Sequence, residues 1–167
     1  PVIAITGSNG KTTTKELVSG VLASHYRTHC TQGNFNNHIG VPLTLLRMPR
    51  DTEVAVIEMG ANHQKEIDLL CRIAEPTHGL ITNIGTAHLE GFGGVEGIKK
   101  GKSELYRYLA ETEGVAIINR DERFLEELAL PVRKKIFYRQ SQHPDPKVPD
   151  YETTLIGLDP YLKVAFL

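Results

Sequence analysis

The sequence carries almost no net charge, -1 from 19 basic and 20 acidic residues. That balance removes the electrostatic case for binding nucleic acid or an anionic membrane. Cysteine is scarce. Cys30 and Cys71 lack metal-ligand spacing, and the seven histidines are scattered, so no zinc pattern is present. Cys71 falls on an apolar helical face with Ile67, Leu70 and Ala74, and Cys30 falls in a strand-like run. Both read as core thiols, which suits a reducing compartment and a cytoplasmic location. No apolar run is long enough to cross a bilayer, and no signal peptide precedes Pro1. Internal repeats and low-complexity tracts are absent too. What remains is 167 residues of ordinary globular composition, enough to bury about two-thirds of the unfolded surface without a disulfide or metal staple.

The stretch around which the chain is organised is Ile3-Ala4-Ile5-Thr6-Gly7-Ser8-Asn9-Gly10-Lys11-Thr12-Thr13-Thr14. An apolar run ends in a Gly-bounded turn, and a helical pattern follows. This order presents backbone N–H groups and the positive end of a helix to a phosphate. Gly7, Ser8, Asn9, Gly10, Lys11, Thr12 and Thr13 are therefore the candidate phosphate-binding residues, the alternative being a Gly-rich turn between a strand and a helix. Lys11 supplies a point charge and Thr12 a hydroxyl for Mg²⁺. The loop is shorter than a standard P-loop, whose first glycine would stand where Ile5 does.

Downstream, strand and helix patterns alternate. Strands are predicted at residues 2–6, 27–32, 53–58, 79–82 and 115–119, and helices at 12–24, 41–47, 64–74, 95–110 and 122–129. The first helix shows Leu17, Val18, Val21 and Leu22 on one face. Such alternation predicts an α/β fold, a parallel sheet with helices on both faces. After Pro131 the strand-like runs 133–138, 153–158 and 162–167 have no helices between them, predicting an edge hairpin or small β extension.

Polar clusters follow the strand ends, where ligands bind in parallel α/β sheets. Glu58 ends the third strand and can hold Mg²⁺ directly or through water, or serve as a capping or solvent-facing acid. His88 follows the fourth strand and is either a ligand or a structural histidine. Asn83, in the same loop, either holds backbone turns or touches ligand. Lys102 shares a helical face with Ile98, Leu105 and Leu109, where an apolar residue would be expected. It either snorkels to solvent or offers a functional amine.

These residues resemble the Mur ligases, the muramyl-peptide ligases of bacterial cell-wall synthesis. Thr6-Gly7-Ser8-Asn9-Gly10-Lys11-Thr12-Thr13 looks like their phosphate loop. Asn34-Phe35-Asn36-Asn37-His38-Ile39-Gly40-Val41-Pro42, Glu58-Met59-Gly60-Ala61-Asn62-His63 and Asn83-Ile84-Gly85-Thr86-Ala87-His88-Leu89-Glu90 are similar to motifs of members that add D-alanyl-D-alanine. The likeness runs to about Asp121 and fades after Pro131.

The resemblance implies a central ATP-binding domain with a UDP-binding domain before it and a Rossmann-like domain after it, neither of them in this chain, which would then be an inactive fragment. It implies an ATP-dependent amide ligase with ATP, UDP-N-acetylmuramoyl-tripeptide and D-alanyl-D-alanine as substrates and an acyl phosphate on the way. It also implies two Mg²⁺ ions. Thr12 and Glu58 match the first metal site, His88 a ligand of the second, and Lys102 the lysine that the family carbamylates. Lys11, His88 and Lys102 become the catalytic candidates. Asn36, Asn37, Asn62 and Asn83 fall in motifs facing the cleft. Two other readings stand beside this one: a folylpolyglutamate synthase-like ligase, and a P-loop module that binds nucleotide without ligating.

Overall fold

The computed structural model describes residues 1–85, 92, 94–122, 124–140, 151–157 and 163–166. Its centre is β1 (Val2–Thr6), an apolar five-residue strand. The flanking parallel neighbours are β3 (Val54–Glu58) and β4 (His78–Ile81). Outside β3 lies β2 (Thr28–Cys30). Outside β4 come β5 (Val115–Asn119) and β6 (Lys134–Gln140), also parallel. The order is completed by β7 (Tyr151–Gly157), parallel to β6, and β8 (Lys163–Phe166), antiparallel to β7. The predicted β extension is thus the β7–β8 hairpin. The run after Pro131 is not part of it: β6 continues the parallel sheet.

All five residues of β3 are buried, as a central parallel strand requires. Its side chains alternate between two cores. Ala55 and Ile57 join one, and Val56 joins Ile5 and Leu80 in the other. A fully buried Val or Ile stabilises by about 1.5–3 kcal/mol over its exposed state, so this strand anchors both layers. The first core is covered by α2 (Gly40–Leu46), α3 (Glu66–Ala74), α5 (Glu104–Glu111) and α6 (Leu125–Leu128). The second packs against α1 (Lys11–Ala23) through Val18 and Leu22.

The face of α1 differs from the predicted one. Leu17 and Val21 are 66% and 72% exposed, and the buried residues are Lys15 and Ser19. Lys15 reverses the expected pattern because its Nζ donates to Thr31 O at 2.7 Å, tying α1 to the chain just after β2, and also pairs with Glu16. Cys71 is buried with its Sγ 3.9 Å from Met59 Sδ, and burial pushes its thiol pKa up. Cys30 is only half-buried.

The helix predicted over residues 95–110 is two helices, α4 (Val95–Lys102) and α5, with Ser103 between them. The Lys100 carbonyl explains the interruption. It accepts from Ser103 Oγ at 3.0 Å and from Arg107 Nη2 at 2.9 Å, donors that compete with the helical ladder. Ser103 keeps right-handed helical angles, so the axis continues. The helix predicted over residues 122–129 shortens to α6, because Leu125 N bonds back only three residues, to Glu122 O at 3.2 Å.

Candidate active site

Four strands bring their carboxyl ends to one edge: β1 leads into the Gly-rich loop, β2 into residues 31–39, β3 ends on Glu58, and β4 leads into residues 82–85. That is the arrangement the polar clusters predicted.

The Gly-rich loop is shaped by its neighbours. Gly7 has φ 141°, and a Cβ there would lie 2.0 Å from Thr82 Oγ1 and 3.0 Å from Thr82 N. Gly10 has φ 76° with open space around it, so its need for glycine is conformational. Residues 82–85 stitch the loop down. Ser8 N donates to Asn83 O at 3.1 Å, and Asn9 N to Asn83 Oδ1 at 3.0 Å. Asn9 O accepts from Asn83 Nδ2 at 3.1 Å and Thr82 Oγ1 at 2.6 Å, and Gly85 N donates to Ser8 Oγ at 2.9 Å.

These contacts divide the seven loop candidates. The amides of Ser8 and Asn9 are used inside the protein. Those of Gly10, Lys11, Thr12 and Thr13 make no hydrogen bond among the described residues, and α1 starts without a side-chain cap. The open donors are therefore the first turn of α1, where the helix dipole favours an anion. Lys11 Nζ folds back onto Gly7 O at 2.9 Å and Ser8 O at 3.2 Å. Partial burial lowers its pKa, opposed by the nearby Glu58 carboxylate. Asn83 spends both ends of its amide on Asn9 and is not among the residues lining the cleft described next.

A cleft of about 410 Å³ runs beside the loop, lined by Lys11, Asn36, Asn37, Asn62, Glu66 and Lys102 among others. Asn37 also caps α2: its Oδ1 accepts from Ile39 N at 3.0 Å and Gly40 N at 2.9 Å. Asn62 N donates to Glu66 Oε2 at 2.6 Å and His63 N to the same oxygen at 3.1 Å. Burial opposes the charged form of Glu66, but these donors outweigh it and hold the carboxyl below its ordinary range.

Glu58 is 1% exposed. Its N–H donates to Thr31 Oγ1 at 3.0 Å, and Oε1 accepts from Asn36 Nδ2 at 2.7 Å. Its Oε2 is buried with no partner among the described residues. A buried acceptor left open costs free energy unless something binds it. A hard cation with oxygen ligands fits that atom, and the Thr12 hydroxyl is the right donor type to accompany it. No group of three or more His, Cys, Asp or Glu that could hold a metal occurs among the described residues. His88 lies outside them.

Lys102 is buried at 3% exposure, with Ile98, Leu105 and Leu109 on its face at 0%. Its Nζ sits 5.5 Å from the Phe92 ring centroid. Burial lowers its pKa to about 8, helped by the Lys11 charge and opposed by Glu66 and Glu104. At pH 7 a pKa of 8 leaves roughly a tenth of the amines neutral, roughly 300-fold more than at the ordinary 10.5.

Two contributors escaped the sequence reading. Glu66 sits four residues after Asn62 in the first turn of α3, a position typical of helix-starting acids, so its role as a loop anchor had a local signal. Glu104 had none. From α5 its buried carboxylate accepts from Lys65 N at 2.6 Å and Asp68 N at 3.0 Å, capping α3 from a distant part of the chain.

The chain matches the family model described as Mur ligase middle domain over residues 5–154. The UDP-N-acetylmuramoyl-tripeptide–D-alanyl-D-alanine ligase of Bacillus subtilis is 54% identical over 125 residues, 75% of this chain and 27% of that protein. A crystal structure of MurF from Acinetobacter baumannii superposes with TM-score 0.77 at 41% identity, covering 91% of this chain and 32% of that one. The MurF ligase of Thermotoga maritima in complex with ADP gives 0.78 at 31% identity, over 99% and 40%. The chain spans about a quarter of the length of the curated relatives it matches.

Proposed function

Because the chain belongs to the Mur ligase middle-domain family, we propose that it is the ATP-binding part of a ligase that joins D-alanyl-D-alanine to UDP-N-acetylmuramoyl-tripeptide in peptidoglycan precursor synthesis, in the cytoplasm. The observation that carries this reading is the pairing of an open helix start at Gly10–Thr13 with one cleft that Lys11 and the buried Lys102 both line. A nucleotide-binding module that does no ligation has no use for the buried amine.

In this reading the amides of residues 10–13 bind the ATP phosphates, and Lys11 leaves the Gly7 and Ser8 carbonyls to pair with the terminal phosphate. A tripeptide carboxylate oxygen attacks the γ-phosphorus, and ADP leaves. The amine of D-alanyl-D-alanine attacks the resulting acyl phosphate. An amide forms, a proton is lost, and phosphate departs with the carboxylate oxygen. Two anions must meet in the first step, so the donors that stabilise the transferring phosphoryl group carry much of the catalysis. Thr12 and Glu58 would hold one Mg²⁺, and His88 with Lys102 a second; these ions would neutralise phosphate charge. The neutral Lys102 amine adds to CO₂ and, on losing a proton, becomes a carbamate, converting a cation into an oxygen donor suited to Mg²⁺. Asn36 and Asn62 shape the cleft, and Asn83 keeps the phosphate loop in place.

The domains expected on either side would grip the UDP-sugar and close over ATP. Holding reactants in line contributes up to ~7–11 kcal/mol to such reactions, so the 167 residues alone are expected to bind Mg-ATP weakly and not to ligate. The test is an assay of the full-length protein with ATP, UDP-N-acetylmuramoyl-tripeptide and D-alanyl-D-alanine. Stoichiometric ADP and pentapeptide product support the reading. ADP release that ignores D-alanyl-D-alanine but responds to another amino-acid acceptor overturns it.

A further inference from the structure

The two oxygens of Glu58 are equivalent in solution and unequal here. Oε1 takes the 2.7 Å hydrogen bond from Asn36 Nδ2, and Oε2 is left open. The carboxylate has little freedom to exchange them. The residue is buried and its backbone amide is pinned on Thr31. Asn36 is pinned as well: its carbonyl accepts from Gly60 N at 2.7 Å, and its own N–H donates to Asn34 O at 2.7 Å. The side-chain amide has one workable orientation, since turning it over would set its oxygen against a carboxylate oxygen, two acceptors face to face. Gly60 makes room for it. A Cβ at that position would stand 2.9 Å from Asn36 Oδ1 and 3.0 Å from Cγ.

We propose that Asn36 holds Glu58 as a one-oxygen metal ligand and thereby selects Mg²⁺ over Ca²⁺ at this site. The inference rests on the reading of Glu58 as a metal-binding carboxylate. Mg²⁺ binds at about 2.0–2.1 Å in a near-octahedral shell, keeps several waters and is satisfied by single carboxylate oxygens. Ca²⁺ binds at about 2.3–2.6 Å, takes six to eight oxygens and gains from carboxylates that give both. With an amide proton on Oε1, a second bond from Glu58 to the ion has to share that oxygen with a charge-assisted hydrogen bond, which weakens it and holds the carboxylate away from a two-oxygen grip. That penalty falls on the larger ion alone.

The experiment measures Mg²⁺ and Ca²⁺ affinities by titration calorimetry in the full-length protein bound to a non-hydrolysable ATP analogue. In Asn36→Ala the Mg²⁺-to-Ca²⁺ affinity ratio should fall severalfold, bounded by the roughly 10–100-fold that loss of a ligand's partner costs in metal affinity. Gly60→Ala keeps the amide but displaces it from Glu58, so it should lower the ratio too, and it serves if Asn36→Ala fails to fold. An unchanged ratio in the folded variants overturns the proposal. Glu58→Gln separates the two possible failures. If it weakens both ions while the Asn36 and Gly60 variants leave the ratio alone, the metal reading stands and the role of Asn36 falls. If it leaves both affinities unchanged, Glu58 is not a ligand and both fall.

Discussion

Replacing Gly7 and Gly10 by alanine, one at a time, separates two reasons for glycine in the Gly-rich loop. At Gly10 the cost is backbone strain alone: φ is 76° and no heavy atom lies within 4 Å of an added Cβ. A non-glycine residue held in that region costs on the order of 1 kcal/mol. At Gly7 the φ of 141° is less accessible still, and the new Cβ would overlap Thr82 Oγ1 at 2.0 Å and press on backbone atoms of Thr82 and Asn83 near 3 Å. The Thr82 hydroxyl could rotate, at the loss of its 2.6 Å bond to Asn9 O. The backbone could not move without shifting β4. Strain of about 1–3 kcal/mol and overpacking of about 1–3 kcal/mol then add, for roughly 2–6 kcal/mol in total. Denaturant unfolding of the chain should place Gly7→Ala well below Gly10→Ala. In the full-length protein both should weaken ATP binding, because both move the open amides. Equal stability losses, or a Gly7→Ala variant as stable as wild type, would refute the idea that residues 82–85 brace the loop from behind.

Three further outcomes follow from the same geometry. Lys102→Arg in the full-length protein keeps the charge but cannot form the carbamate, so ligation should be abolished with the fold intact; partial rescue of Lys102→Ala by added acetate or formate would support the same role, and near wild-type turnover of Lys102→Arg would exclude it. The folded-state pKa of Glu66 is depressed, so its stabilisation is present above the ordinary value of 4.5 and lost as pH falls below it; Glu66→Gln should flatten that acid limb of a stability–pH profile, and an unchanged limb would count against the anchor. Glu104→Ala leaves the Lys65 and Asp68 amides without their acceptor and should cost about 2 kcal/mol or more in denaturant unfolding. A loss below the scatter of repeat measurements would show that α3 does not need this cap.

Much of the framework was legible because it is written in local patterns. Strands β1 and β5 fall where their apolar runs predict, and the buried run of β3 announces a central strand. Lys102 stood out since an amine broke an apolar stripe, and its neighbours on that stripe are indeed buried. What was illegible depends on partners distant in sequence. Nothing near Asn83 says that its amide will clasp Asn9, 74 residues away. Nothing near Glu104 points to the start of α3. The face of α1 was misread because Lys15 looks like a surface charge until Thr31 O is placed beside it. The break at Ser103 arises from two side chains competing for one carbonyl, which a periodicity count does not weigh.

The reaction itself can be followed by one oxygen atom. If the chain serves a ligase that works through an acyl phosphate, the oxygen that attacks ATP leaves with phosphate. The full-length protein would be supplied with ATP, D-alanyl-D-alanine and UDP-N-acetylmuramoyl-tripeptide labelled with ¹⁸O in its reacting carboxylate, and the phosphate released would be weighed by mass spectrometry. One ¹⁸O in each phosphate, formed in step with amide product, is the predicted result. Unlabelled phosphate, or phosphate carrying oxygen from water, would mean that ATP is hydrolysed rather than used to activate the carboxylate, and would contradict the account.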